Sequence, residues 1–248
     1  MPACQAGREN PLRGGGVAWQ HAAFRSIQGL ALRVTRLDAC CQPVTGTTCD
    51  YAVSESFVTL NLTAEIEDPD EFIVKLANGK LCINETGCAS LKRFNVEIEV
   101  CNADPDFFEI ISGVNTVADY NGDIVGFQID ETLGDCNRFA LEFWTKVVGD
   151  ECVDPATGAE QYLYWLLPCV SNGRIGDLTV ENGPLTWTLT GEALPSSTWG
   201  VGPFLVVPSD ALNTPSELLA PLGADTALHV QFTTIAPPTE LCGCQGLP

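Results

Sequence analysis

The stretch "FVTLNLTAEIEDPDEFIVK", residues 57–75, alternates apolar and polar side chains from end to end, with Val58, Leu60, Leu62, Ala64 and Ile66 on one side. Its other side carries Thr59, Asn61, Thr63, Glu65 and Glu67. A period of two places successive side chains on opposite faces of a pleated strand, so this is read as a long β-strand with one apolar and one polar, acidic face. Residues 56–67 would run for roughly 40 Å, longer than most strands of globular proteins. "RFNVEIEV" repeats the arrangement, with Phe94, Val96, Ile98 and Val100 opposite Asn95, Glu97 and Glu99.

Working outward, further strand-like runs accumulate: "FIVKLA", "IVGFQI", "RFALEFWTKVV", "QYLYWLLPCV", "DLTVE", "LTWTLTG" and "LHVQFTTI". Four Asn-Gly pairs, in "LANGKL", "DYNGDIV", "VSNGRIG" and "VENGPLT", accept the positive φ angles of type I′ turns and are read as hairpin tips. Helical patterning is confined to "DPDFFEIISG", where Asp104 caps, Pro105 suits the first turn and Gly113 stops the helix. The expected fold is all-β, sandwich- or barrel-like, with a long hairpin sheet and one short helix. A single domain is expected over 29–240, with insertions at 112–135 and 192–225. Residues 1–28, holding "LRGGGVAWQ", are read as an extended arm, and 241–248 as a tail.

The chain has 248 residues, 45% of them hydrophobic, ample for a packed core. No apolar run approaches the length of a membrane span and "MPACQAGREN" lacks a secretory apolar segment, so assembly in a cytoplasm is expected, with no membrane partner. The net charge of −20 argues against ordinary DNA binding. The sum hides an asymmetry: residues 1–36 hold Arg8, Arg13, Arg25, Arg33 and Arg36 against the single acid Glu9. A basic arm followed by an acidic body fits a nucleic-acid tail, an arm docking on a neighbouring copy, or a plain leader.

Candidate chemistry is sparse. No zinc-protease, nucleophile-elbow, P-loop or dinucleotide motif is present, and the two histidines lie in the arm (His21) and in the alternating "ALHVQF" (His229), so no catalytic residue and no enzyme is expected. Asp119, Asn121, Asp123 and Asp130 have the spacing of calcium-loop ligands, but Ile124 stands where such a loop needs glycine, and a plain hairpin turn is expected. Asn61-Leu-Thr63 and Asn84-Glu-Thr86 are glycosylation sequons only on a secretory route. Trp144, Trp165 and Trp187 sit in strand runs, where core packing explains them. Twelve cysteines form no zinc-ribbon ladder, so neither metal nor cofactor is expected, and the six-residue separation of Cys82 and Cys88 marks them as the first disulfide to consider.

With these runs in view, "FVTLNLTAEIEDPDEFIVKLANGKLCINETGC", "LKRFNVEIEVCNADPD", "RFALEFWT", "GRIGDLTVENGPLTWTLTG" and "WGVGPFLVV" resemble the major tail tube proteins of long, flexible-tailed phages of actinobacteria, from about residue 29 to the end. The resemblance implies a structural virion protein of the phage tail. Stacked hexameric rings would enclose a lumen holding the tape measure protein, with terminator and distal tail proteins at the ends and DNA in transit. It maps lumen-lining hairpins onto 56–76 and 91–101, which makes Thr59, Asn61, Thr63, Glu65, Glu67, Asn95, Glu97 and Glu99 lumen-facing. Glu65, Glu67, Glu97 and Glu99 would then place about 24 carboxylates around each level. It also makes Arg8, Arg13 and Arg25 an inter-ring clamp. The rival class is a cell-surface or carbohydrate-binding β-module, such as a decoration or receptor-binding protein.

Overall fold

The computed structural model describes residues 26–248 apart from 47, 103, 131–136, 150–152, 155–156, 177, 179–182, 184 and 242. In chain order the strands are β1 (Ser26–Leu37), β2 (Tyr51–Ser54), β3 (Phe57–Glu67), β4 (Glu71–Lys75), β5 (Leu81–Thr86) and β6 (Ser90–Val100). After helix α1 (Pro105–Ser112) come β7 (Asn115–Ala118), β8 (Ile124–Gln128), β9 (Arg138–Val147), β10 (Tyr162–Ile175), β11 (Trp187–Ala193), β12 (Val207–Pro208), β13 (Pro215–Ser216) and β14 (His229–Thr233). About half of the described residues are strand, and they include one short helix, so the fold is all-β. An eight-stranded antiparallel sheet runs β2-β1-β9-β10-β11-β6-β3, with β14 also on β10. Among the described residues no helix is long and apolar enough to cross a membrane.

The centre of this sheet is covered on both faces. Leu32 and Val34 of β1, Phe139 and Leu141 of β9 and Val170 of β10 pack with Phe107, Phe108, Ile110 and Ile111 of α1. The opposite face brings Trp144, Tyr164, Leu166 and Cys169 against Trp199, Phe204 and Val206 from the following loops. Burial on both faces explains why β9 and β10 read as continuous apolar runs rather than alternating ones. Pro168 falls where the β9–β10 register skips between Leu167 and Val170, so its missing N–H interrupts no ladder bond.

Helix α1 forms as its sequence requires: the Asp104 carboxylate accepts the Asp106 N–H, Pro105 opens the first turn, and Gly113 closes at φ 67°. Two Asn-Gly pairs are hairpin tips, at Asn78-Gly79 between β4 and β5 and Asn121-Gly122 between β7 and β8. The calcium-like run is an ordinary turn, in which Asp119 Oδ1 accepts the N–H groups of Asn121 and Asp123. Asn172-Gly173 is a correction. It lies inside β10, where the register to β11 shifts between Ser171 and Arg174 and Asn172 takes φ 56°. Gly173 presses on the carbonyl of Ile111, where a Cβ would stand 1.9 Å from the oxygen, so the glycine serves close approach rather than a tip. "DLTVE" and the fourth Asn-Gly pair fall mostly outside the described residues.

The arm boundary also moves. β1 begins at Ser26, so residues 26–28, read as arm, belong to a strand paired with β9. Arg8, Arg13 and Arg25 lie outside the described residues. The tail at 241–248 is no loose end: Gln245 bridges Tyr51 of the edge strand β2, and Leu247 N–H donates to the Asp50 carboxylate.

A buried polar group sits within the second core. Arg33 of β1 donates twice to Glu142 of β9, at 2.7 Å each, and the Tyr164 hydroxyl donates to the same carboxylate at 2.6 Å. Burial, then the adjacent Glu142 carboxylate, hold the Tyr164 hydroxyl well above the ordinary tyrosine range. The protonated form is therefore favoured by folding, and its contribution is complete below about pH 10 and lost as pH rises beyond it. Urea midpoints measured between pH 8 and 11 should fall above about pH 10 in the wild type and fall less steeply in Tyr164→Phe; parallel curves would show that Tyr164 is not the group responsible.

Candidate functional site

The outer half of the sheet builds one continuous polar face. Antiparallel register sets Thr59 beside Glu99, Asn61 beside Glu97, Thr63 beside Asn95 and Glu65 beside Arg93 across β3 and β6. β11 extends the first three rows, with Thr188 beside Glu99, Thr190 beside Glu97 and Glu192 beside Asn95, and β10 adds Arg174 opposite Thr190. Residues paired directly across an antiparallel ladder share a face, so seven of the eight residues singled out above lie together. Glu67 pairs with Ser90 beyond a register shift.

The reverse side carries Leu60, Leu62 and Ala64 against Ile98, Val96 and Phe94, continued by Leu189, Gly191 and Ala193. Only part of it is core. Val96, Ile98 and Val100 are buried, but on β3 Val58 is 52% and Ile66 54% exposed, and Leu60 and Leu62 are half-buried. The expectation that the whole apolar face of 57–67 packs inside the subunit is corrected. β3 is the terminal strand of the sheet, and Val58 is displaced by a bulge between Phe57 and Thr59. The β4–β5 hairpin that follows is exposed throughout, including Phe72, Ile73, Val74 and Ile83. Monomeric soluble proteins rarely leave so many apolar side chains of one hairpin open to water.

The charge on the polar face is less one-sided than the glutamates alone imply. A skip between Glu65 and Ile66 brings two successive cations onto one carboxylate: Lys92 Nζ stands 2.9 Å and Arg93 Nε 2.6 Å from Glu65. Arg93 also reaches Glu192 at 2.8 Å, and Asn172 donates to the same carboxylate. The hydrogen bond from Arg93, then that from Lys92, holds Glu65 below the usual carboxylate range. Glu97 and Glu99 have no cation in an ion pair among the described residues; Glu99 accepts the Thr59 hydroxyl. The figure of four free carboxylates per subunit is therefore too high, because one is neutralised within the chain. Asn61, Thr63, Asn95, Glu97, Arg174 and Thr190 line a shallow depression at the centre of the face. Such a surface offers hydroxyls, amides and a thin excess of negative charge to whatever faces it.

Arg93, Arg174, Thr188 and Glu192 were not singled out from the sequence. The alternation of "LTWTLTG" held the signal for Thr188, whereas Arg174 and Glu192 depend on the β10–β11 register. His229 sits edge-on to Tyr164 at 6.5 Å; Trp144 is buried in the core, and the half-buried Trp165 and Trp187 pack against its aromatic margin.

The disulfide expectation is overturned. Cys82 and Cys88 are free and exposed, and among the described residues disulfides join Cys41 to Cys169 and Cys49 to Cys244. The hairpin reverses at Asn78-Gly79, not between the two cysteines; Cys82 lies on β5, where each residue advances about 3.3 Å and carries it away from Cys88. No protein-family model matches this chain, and a search of curated proteins finds no relative.

Proposed function

We propose that this chain is a non-enzymatic structural subunit that polymerises into a tube, in the manner of the phage tail tube proteins its strands resemble. The observation that carries this reading is the two-sided β3–β6 unit: a polar face of Thr, Asn and Glu, backed by an apolar side and hairpin left exposed in the single chain. An isolated subunit gains nothing from such a surface, and neighbouring copies would cover it. The polar face then lines a lumen. Stacked, hexameric rings, a tape measure protein inside, end-capping tail proteins and DNA passing without sequence-specific contact follow from the resemblance, as does residence in the virion.

A carbohydrate-binding or decoration module is the second reading, favoured by the depression between Asn61 and Arg174. Its lining contains no aromatic ring on which a sugar would stack, which places the tube first. Negative-stain microscopy of the purified protein separates the two. Rings or hollow filaments are expected, and replacing Phe72, Ile73, Val74 and Ile83 with serine should abolish them while circular dichroism stays unchanged. Discrete globules at every concentration would instead favour the binding module.

A further inference from the structure

Cys49, Cys244 and Asp106 come from three separate elements: the loop before β2, the chain after β14 and the first turn of α1. Their two sulfurs and one carboxylate oxygen all lie within 4.8 Å of one another, and all three residues are half-buried. Ligand atoms around a single tetrahedral zinc stand about 3–4 Å apart; here the two sulfurs are joined in a disulfide, so the cluster holds the donor types of a metal site and takes the spacing of one only once that bond is open and the thiols have parted. Cys41 and Cys169 belong to no comparable group among the described residues, and they are buried.

The segments that carry the two sulfurs are tied together by backbone hydrogen bonds as well as by the disulfide. Asp50 and Tyr51 N–H both donate to the Gln245 carbonyl, at 2.7 and 3.0 Å, and Gln245 N–H returns a bond to Tyr51 at 2.8 Å. Cys244 N–H donates to Asp106 Oδ2 at 3.1 Å, which orients that carboxylate toward the sulfurs. Gly243, at φ 76°, lets the chain turn tightly there; a Cβ would stand 3.1 Å from the same oxygen. On the other side Arg36 donates to the Cys49 carbonyl and to Glu109, fixing the loop that carries Cys49. With the disulfide opened, these hydrogen bonds would still hold both cysteine-bearing segments beside the Asp106 carboxylate, with the Arg36 guanidinium 3.8 Å from Cys49 Sγ.

We propose that Cys49, Cys244 and Asp106 form a redox-alternating site, closed as a disulfide when oxidised and holding one thiophilic divalent cation such as Zn²⁺ when reduced. A phosphine or dithiol reductant supplies two electrons, and two protons from water or from the dithiol complete two thiols. The cation then displaces those two protons, forming two metal–sulfur bonds and one bond to Asp106, with water at the fourth position. Either state ties the chain after β14 to β2 and α1. The expectation of no metal is thereby revised for the reduced chain alone, and the inference is independent of the tube reading.

The test uses the full chain, reduced with a phosphine, freed of excess reductant without air, and mixed with one equivalent of Zn²⁺ before alkylation and peptide mapping. Cys49 and Cys244 should be protected, while the exposed thiols Cys40, Cys82, Cys88 and Cys101 react at their original rates. Asp106→Asn should require about tenfold more zinc for the same protection. Protein never reduced should take up no zinc at this site. Unchanged alkylation of Cys49 and Cys244, or equal protection in Asp106→Asn, would overturn the three-ligand site.

Discussion

Glu142→Ala is expected to lower stability by about 3–5 kcal/mol, because it removes one partner of a buried ion pair and strands the other. Glu142 is fully buried and satisfies Arg33 through both carboxylate oxygens. The guanidinium lies 5.2 Å from the Trp144 ring centre and 3.4 Å from that of Phe204, so aromatic rings rather than a second carboxylate border the charge that Glu142 neutralises. The Tyr164 hydroxyl loses its acceptor in the same step. Replacing both charges, as Arg33→Met with Glu142→Leu, should cost far less than the single change, since no stranded charge is left. Urea unfolding followed by tryptophan fluorescence reads both values. A loss below about 1 kcal/mol in Glu142→Ala would mean that water reaches the pair.

The second large effect concerns the polar face and rests on the tube proposal. Converting Glu65 to lysine would confound the result, because it would place a third cation against Lys92 and Arg93. Glu97 and Glu99 make the cleaner pair. With Glu97→Lys and Glu99→Lys together, the patch of Glu65, Glu97, Glu99 and Glu192 against Lys92, Arg93 and Arg174 changes from a slight negative excess to a positive one. Repeated around a ring, that wall would hold phosphate instead of repelling it. Particles built from the double variant should assemble normally and release DNA at least about tenfold more slowly at low salt, with recovery as salt rises. Release at the wild-type rate in low salt would remove these residues from the lumen.

Much of this architecture was legible in the alternation of 57–67 and 94–100. Side-chain period decides which residues share a face; the register that joins the two polar faces is set by strand pairing, which period alone does not fix. The helix was legible from its caps. Period does not show whether an apolar face will be covered by the same chain, so the exposure of Val58 and Ile66 could not be read from it. β1 escaped notice altogether. Its run "ALRVTRL" alternates only in part, and Arg33 suggests a wet face; the partner that permits its burial, Glu142, is 109 residues away. The disulfides were hidden for the same reason, with partners 128 and 195 residues apart, and local spacing pointed to Cys82 and Cys88 instead.

The occluded edge of the sheet restricts how copies can join. Gln245 occupies the outer side of β2 at Tyr51, whereas β3, the opposite terminal strand, has no further strand beyond it among the described residues. If β3 met β3 of a second subunit, the two would be related by a two-fold axis, and that pairing consumes both of these edges and stops at a dimer. Growth through β3 beyond two copies requires β3 of one subunit to meet some other surface of the next. On the tube proposal, a dimer joined β3 to β3 would be a dead end that competes with assembly rather than a first step towards it.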